Sequence, residues 1–195
     1  MYKPFYDFVR QLSPEFKVDP VQLEPLLRTR RVEKGCFLFY EGDCCEFVGL
    51  TLSGCLRTFF LKQGKEYTLF FQAEGQPWGD YESFRRGTPA CFSCQALEDS
   101  EVLLVDGQAL RWFEFAPGGQ QFLRLHAENL AFTLRDKLLS LFRDSPEQRY
   151  LQLVQNEPAL LKRIPQYYLA SYLGIEPESL SRLKRRIQPP LNPSQ

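Results

Sequence analysis

Apolar residues fall at helical spacing through the first thirty positions. Phe5, Phe8, Val9 and Leu12 form one stripe that Ser13-Pro14 ends, and Asp19-Pro20 opens a second carrying Val21, Leu23, Leu26 and Leu27. From Arg31 the pattern changes to short apolar runs with a turn signal every ~8–12 residues, as in a sandwich or barrel. Cys36 to Tyr40, Phe47 to Leu52, Cys55 to Phe60, Tyr67 to Phe71, Ala90 to Ala96 and Ser100 to Val105 predict strands. Glu41-Gly42-Asp43, Ser53-Gly54 and Gln63-Gly64-Lys65 supply turns, so residues 31–106 predict an antiparallel jelly roll. Gly75 to Pro89 breaks the alternation and predicts a short helical insert with exposed backbone donors.

Helical spacing returns from Gly118 to Arg143. Phe122, Leu125, Asn129, Phe132 and Leu139 mark one stripe, and Leu130, Leu134, Leu138, Leu141 and Phe142 widen it. Such a helix spans ~39 Å, more than one small domain needs. The broad stripe therefore predicts packing on a second chain as well as on the sandwich, with Phe122, Leu125, Asn129, Phe132, Leu134 and Leu138 as the interface. A purely intramolecular helix is the alternative.

Asp144-Ser145-Pro146-Glu147 marks a boundary, with Ser145 placed to cap a helix that runs to Asn156. Gln166 to Leu183 then reads as a helix-turn-helix. Ala170 is small where two helices cross, and Gly174 stands where the turn needs positive φ. Leu169, Leu173, Ile175 and Leu180 fill the seam, and Pro177 suits the first position of the second helix. Ser179, Ser181, Arg182, Lys184, Arg185 and Arg186 make that helix polar and basic, as phosphate contact requires. An ordinary αα-hairpin shares the small-x-x-x-Gly spacing, but the basic run favours a DNA-reading helix. The tail Gln188 to Gln195, rich in proline, is expected to be loose. The expected organisation is α+β, with an N-terminal domain over 1–116 that holds the jelly roll, a dimerisation helix over 117–144 and an all-α DNA-binding domain over 145–195.

Composition narrows the function classes. Hydrophobic residues make up 44% and aromatics 14% of the 195 residues, with seventeen Phe, which argues for packed cores rather than disorder. No apolar run approaches the ~20 residues of a membrane span, and the N-terminus lacks the order of a signal peptide, so a cytoplasmic protein with no membrane partner is expected. Net charge is zero, yet residues 145–195 hold seven Lys/Arg against four Asp/Glu, placing the basic excess with the helix-turn-helix. Cys36, Cys44, Cys45, Cys55, Cys91 and Cys94 are expected as free thiols. Cys91 and Cys94 have ligand spacing without a second pair, and His126 is the single histidine, so no structural zinc and no metal-dependent jelly-roll enzyme is expected. A cluster of Cys36, Cys44, Cys45 and Cys55 holding an iron–sulfur centre is the remaining cysteine alternative. The chain is not expected to be an enzyme.

The order of parts resembles the CRP/FNR family of bacterial transcription regulators, and the resemblance covers nearly the whole chain. Its markers are Glu33-Lys34-Gly35, Glu41-Gly42-Asp43, Leu52-Ser53-Gly54, Gly79-Asp80 at the insert and Leu180-Ser181-Arg182 near the end. With no room for a hairpin in the DNA-binding domain, the chain is similar to shortened family members of Bacteroidetes-type bacteria. The resemblance implies a cyclic-nucleotide-binding-like jelly roll whose insert is a phosphate cassette, giving Gly79, Asp80, Tyr81, Glu82, Ser83, Ala90 and Cys91 as the effector-pocket residues. Ala90 and Cys91 stand where cAMP-binding members carry Arg and Ser/Thr, and burying a cyclic phosphate without a counter-charge costs several kcal/mol. Tight cAMP binding is therefore not expected. An unknown small molecule, or a pocket filled by its own side chains, with Trp78, Tyr81 and Phe84 at hand, takes its place.

In the second helix, Glu178, Ser179 and Arg182 match positions that read DNA in the family, and Ser181, Lys184 and Arg185 complete the DNA-binding set. The expected function is a homodimeric DNA-binding transcription regulator with no cofactor. Its partners are double-stranded DNA, a second copy and, in a regulator of this kind, RNA polymerase. The alternative is a small-molecule sensor or protein-interaction module that has lost specific DNA binding, favoured by acid at Glu176 and Glu178.

Overall fold

The computed structural model describes residues 2–187, so the expected loose tail, 188–195, lies outside the described residues. Helix α1 (Lys3–Leu12) and the short α2 (Pro20–Leu23), which Asp19 caps through Val21 N–H, precede the strands. Eight strands follow: β1 (Arg28–Val32), β2 (Phe37–Phe39), β3 (Val48–Ser53), β4 (Leu56–Lys62), β5 (Lys65–Gln72), β6 (Pro77–Trp78), β7 (Ser93–Ala96) and β8 (Ser100–Val105). They form two antiparallel sheets in the orders β1-β8-β3-β6 and β2-β7-β4-β5, which is jelly-roll connectivity. Helix α3 (Tyr81–Arg86) is the expected insert, between β6 and β7. Helix α4 (Gly107–Phe115) leads into the long α5 (Gly119–Arg143), and α6 (Pro146–Asn156), α7 (Pro158–Leu161), α8 (Gln166–Leu173) and α9 (Pro177–Ile187) form a C-terminal helical head.

Four elements differ from the periodicity, one of them the two-residue β6, which pairs with β3 inside the stretch expected as a helical insert. Strand β1 begins at Arg28, inside the stretch expected to be helical. Its Arg-Thr-Arg-Arg run shows no apolar alternation because β1 is an edge strand that pairs only with β8. Helix α4 has a local signal after all: Asp106 accepts hydrogen bonds from Gln108 and Ala109 N–H, and Ala109, Leu110 and Phe113 are buried. Helix α7 is a single turn, shorter than periodicity can register.

Burial divides among three clusters. The sandwich interior is filled by Leu38, Phe39, Leu56, Trp78, Cys94, Ala96 and Val102. A second cluster packs α1, α4 and the start of α5 on Leu50, Leu52 and Leu103 of the β1-β8-β3-β6 sheet, with Phe5, Phe113 and Phe122 at its centre. The third joins the two parts of the chain: Cys55, Phe71 and Leu97 of the sandwich share one core with Tyr150, Leu160, Leu169, Leu173 and Leu180 of the head. The head is thus packed against the sandwich and not merely tethered to it.

Candidate functional site

Of the expected effector-pocket residues, Gly79, Asp80, Ser83 and Cys91 lie together around the N-terminus of α3. Gly79 adopts φ of +127°, and a Cβ there would approach Val48 Cγ1 to 2.8 Å, so only glycine permits this entry to the helix. Asp80, only 5% exposed, follows as the N-cap. One carboxylate oxygen accepts from Ser83 N–H at 3.0 Å, and the other accepts from Cys91 N–H at 3.1 Å and from its thiol at 3.4 Å. Ser83 is itself buried, and its hydroxyl accepts from Cys45 N–H at 2.9 Å. Burial, then the hydrogen bond from the thiol to Asp80, raises the pKa of Cys91. Each of these polar groups is therefore engaged within the protein.

Beneath them the volume is hydrocarbon. Ala90 is buried with Leu56, Trp78, Cys94 and Val102, and Phe47, Phe84 and Phe92 close the edge. Tyr81 and Glu82 face solvent. The two arginines that could have supplied a counter-charge are committed elsewhere, Arg85 to Glu114 and Arg86 to Glu82. The four cysteines considered for a cluster do not gather, because Cys55 lies in the core shared with the head, Cys45 in the sandwich interior, and Cys36 and Cys44 at the surface.

The densest polar chemistry lies instead on the outer face of β4 and β5, where the head docks. Arg57 on β4 is 1% exposed. Its guanidinium stacks 3.6 Å from the Tyr168 ring of α8 and 4.0 Å from Phe59, donates to Gln95 Oε1 at 2.7 and 3.0 Å, and lies 2.7 Å from Glu66 Oε2. The Glu66 contact is an ion pair lacking hydrogen-bond alignment, since Nη1 has no aligned acceptor. Strand β5 is an edge strand, and the head satisfies its free backbone: Ser171 Oγ accepts from Thr68 N–H at 2.9 Å and donates to Glu66 C=O at 2.8 Å. Lys137 of α5 donates to Leu69 C=O, with its ammonium 3.7 Å from the Tyr172 ring and 4.7 Å from that of Phe70. Burial, with the Arg149 guanidinium adding to it, brings the Lys137 pKa down to about 7. Arg163 bridges Glu74 and Glu98, and Lys65 pairs with Glu176 immediately before α9.

None of these junction residues was expected from sequence except Glu176, and that only as acid near the reading helix. The available signal is slight: Arg57 is a single charge in the run Cys55 to Phe60, on the face opposite Leu56.

The expected interface on α5 needs correction. Phe122 is 5% exposed within the protomer's own aromatic cluster, stacked with Phe113 and Phe16, and is not available to a second chain. Leu134 and Leu138 share an exposed seam with Leu130 and Leu141, whereas Leu125 and Phe132 lie about 160–180° around the helix and Asn129 nearer that side. Apolar residues surround this helix, so periodicity alone could not choose among its faces.

On α9, Leu180 and Leu183 are buried. Glu178, Ser181, Arg182 and Arg185 are exposed, while Ser179 is half-buried and accepts from Arg182 at 3.1 Å. Lys184 is half-buried with its ammonium 5.9 Å from the Tyr150 ring, and burial lowers its pKa. Gly174 closes α8 at φ of 71°, with its N–H bonded to Ser171 C=O. Among the described residues no helix is long and apolar enough to cross a membrane.

A jelly roll with a capped helical insert is thus followed by a long helix and a helical head. Residues 29–114 match the family model described as the cyclic nucleotide-binding domain. Solved structures extend the likeness through the helical parts. FixK2 from Bradyrhizobium japonicum is 18% identical at a TM-score of 0.69, covering 83% of this chain and 84% of its own. The c-di-GMP-responsive global regulator CLP of Xanthomonas campestris is also 18% identical, at 0.68, with coverages of 87% and 92%. The catabolite activator protein of Thermus thermophilus is 26% identical at 0.56, with coverages of 90% and 85%. No curated protein sequence matches the chain.

Proposed function

We propose that this protein is a homodimeric, DNA-binding transcription regulator of the CRP/FNR type, whose α8–α9 unit is a helix-turn-helix and whose jelly roll does not respond to cAMP. The observation that carries the reading is the two-sided character of α9. Leu180 and Leu183 are buried in the head, while Arg182 and Arg185 stand exposed with Glu178 and Ser181 on the free side. A second helix presented in this way after a tight glycine turn suits entry into a major groove. The seam of Leu130, Leu134, Leu138 and Leu141 on α5, each 42–56% exposed in one chain, supports pairing of two copies. The commitment of Asp80, Arg85 and Arg86 to internal partners supports indifference to cAMP.

A mobility-shift selection from genomic fragments tests the reading. The wild type is expected to retain duplexes with two half-sites ~34 Å apart. Arg182→Ala is expected to cost ~1–3 kcal/mol and relax base preference at one position. Equal retention of all fragments by the wild type, or no effect of Arg182→Ala, overturns it. In light scattering, Leu134→Glu should convert a dimer to a monomer. A wild type that is monomeric at micromolar concentration removes the dimer.

A further inference from the structure

We propose that the tip of the β4–β5 hairpin, Lys62 to Lys65, forms a second contact to the DNA backbone beside the reading helix. The inference rests on the reading of α8–α9 as a helix-turn-helix. In that unit the N-terminal end of the second helix approaches the base edges first, with the phosphates of the groove walls flanking it. Glu176 immediately precedes α9, and Lys65 is ion-paired to it, so the hairpin tip is held against the end of the helix that meets the duplex. The placement is not a loose surface encounter. Ser171 bonds both Thr68 N–H and Glu66 C=O of the same strand, and the Arg57–Tyr168 stack anchors the opposite strand.

The chemistry of the tip suits an anionic backbone. Lys62 is exposed and makes no ion pair among the described residues. Lys65 offsets the carboxylate of Glu176, which would otherwise face phosphate at the head of the reading helix. Of the other acids close by, Glu66 is paired with Arg57 and Glu41 accepts from Leu61 N–H at 3.3 Å, while Glu178 in the first turn of α9 is exposed and makes no ion pair among the described residues, so Lys62 and Lys65 are the cations that the hairpin tip brings to this end of the helix. Gln63 and Gly64, at φ of 54° and 74°, make a two-residue turn that keeps the tip narrow. The head consists of helices alone among the described residues, so the sandwich is the part of the chain that can offer a hairpin to the duplex. Backbone contact of this kind fixes register without reading bases.

The test uses the full-length protein and an operator duplex chosen by selection, with the dissociation constant measured across salt concentrations. Each phosphate contact contributes about one to the slope of log K against log salt. Lys62→Gln is expected to lower the slope by about one and leave the preference among operators unchanged, and Glu176→Gln, which frees Lys65, to tighten binding several-fold. If the wild type binds specifically but Lys62→Gln leaves the slope unaltered, the hairpin contact is refuted while the regulator reading stands. If the wild type binds no operator and only Arg182-independent retention is seen, the regulator reading fails and the hairpin contact with it. Both substitutions are at exposed positions, so matching far-UV circular dichroism spectra are expected.

Discussion

Leu56 and Arg57 are neighbours on β4 and equally buried, at 0% and 1% exposure, but they face opposite sides of one sheet. Leu56 points into the interior beneath α3, where its companions are Trp78, Cys94, Ala96 and Val102. Arg57 points out, into the junction with the head, where its partners are Tyr168, Gln95 and Glu66. The first region is closed by dispersion and desolvation, which tolerate substitution of similar volume and hold nothing in particular. The second holds a buried cation whose partners come from both parts of the chain. An apolar replacement can be as stable as such a network, but only the network demands one position of the head. The interior is a core, and the densest directional chemistry lies at the junction.

Removing the junction's cation should have the largest effect. Arg57→Ala leaves Glu66 and Gln95 without their partner and is expected to cost ~3–5 kcal/mol in urea unfolding. A loss below ~1 kcal/mol would mean that the junction is as forgiving as the interior. Placing an arginine and a hydroxyl in the insert by Ala90→Arg with Cys91→Ser should cost ~1–3 kcal/mol by overpacking. Calorimetry of that variant should detect no cAMP binding tighter than ~100 μM, about −5.5 kcal/mol. A low-micromolar dissociation constant would show that the interior can reopen around a single charge. Ser171→Ala, which takes two hydrogen bonds from an edge strand, should cost ~1–2 kcal/mol, and hydrogen exchange at Thr68 N–H should accelerate with it.

The smallest effect concerns pH. Burial depresses the Lys137 pKa from 10.5 to about 7, so across that window the unfolded chain binds more protons than the folded one. This group's contribution to stability therefore rises with pH between about 7 and 10.5, although the Tyr172 and Phe70 rings and the Leu69 carbonyl offset part of the penalty on the cation. Lys137→Met should flatten the rise, seen as a smaller difference in unfolding midpoint between pH 7 and 9. Identical pH profiles for the two proteins would show that the ammonium is fully compensated in its ring clamp.

Much of the architecture was legible because its signals are local. The strand runs from Phe37 to Val105, the insert at Tyr81 and the boundaries of α5, α6, α8 and α9 all follow from turn residues, caps and spacing within a few positions. Gly79, Asp80, Ser83, Ala90 and Cys91 were grouped only through the family resemblance. That Asp80 binds Cys91 and Ser83 was not legible, because the donor from Cys91 crosses eleven residues. The choice of face on α5 was equally hidden. Phe122 and Leu134 both belong to an apolar stripe, and only α1 and α4, laid over the first turns, bury one and leave the other free.

By itself the sequence determined most of the helices and strands, namely those with a clear period or cap, and where glycine must bend the chain. Each depends on interactions within one element, whose range is a turn or a strand pair. Only the tertiary structure decided that the interior fills with its own side chains and that Arg57, Lys65, Lys137 and Ser171 belong to a single surface with the head. Lys65 lies 111 positions from Glu176, Ser171 lies 103 from Thr68 and Lys137 lies 68 from Leu69, and a buried charge or an edge-strand carbonyl finds its partner by proximity in space, for which sequence separation is no guide.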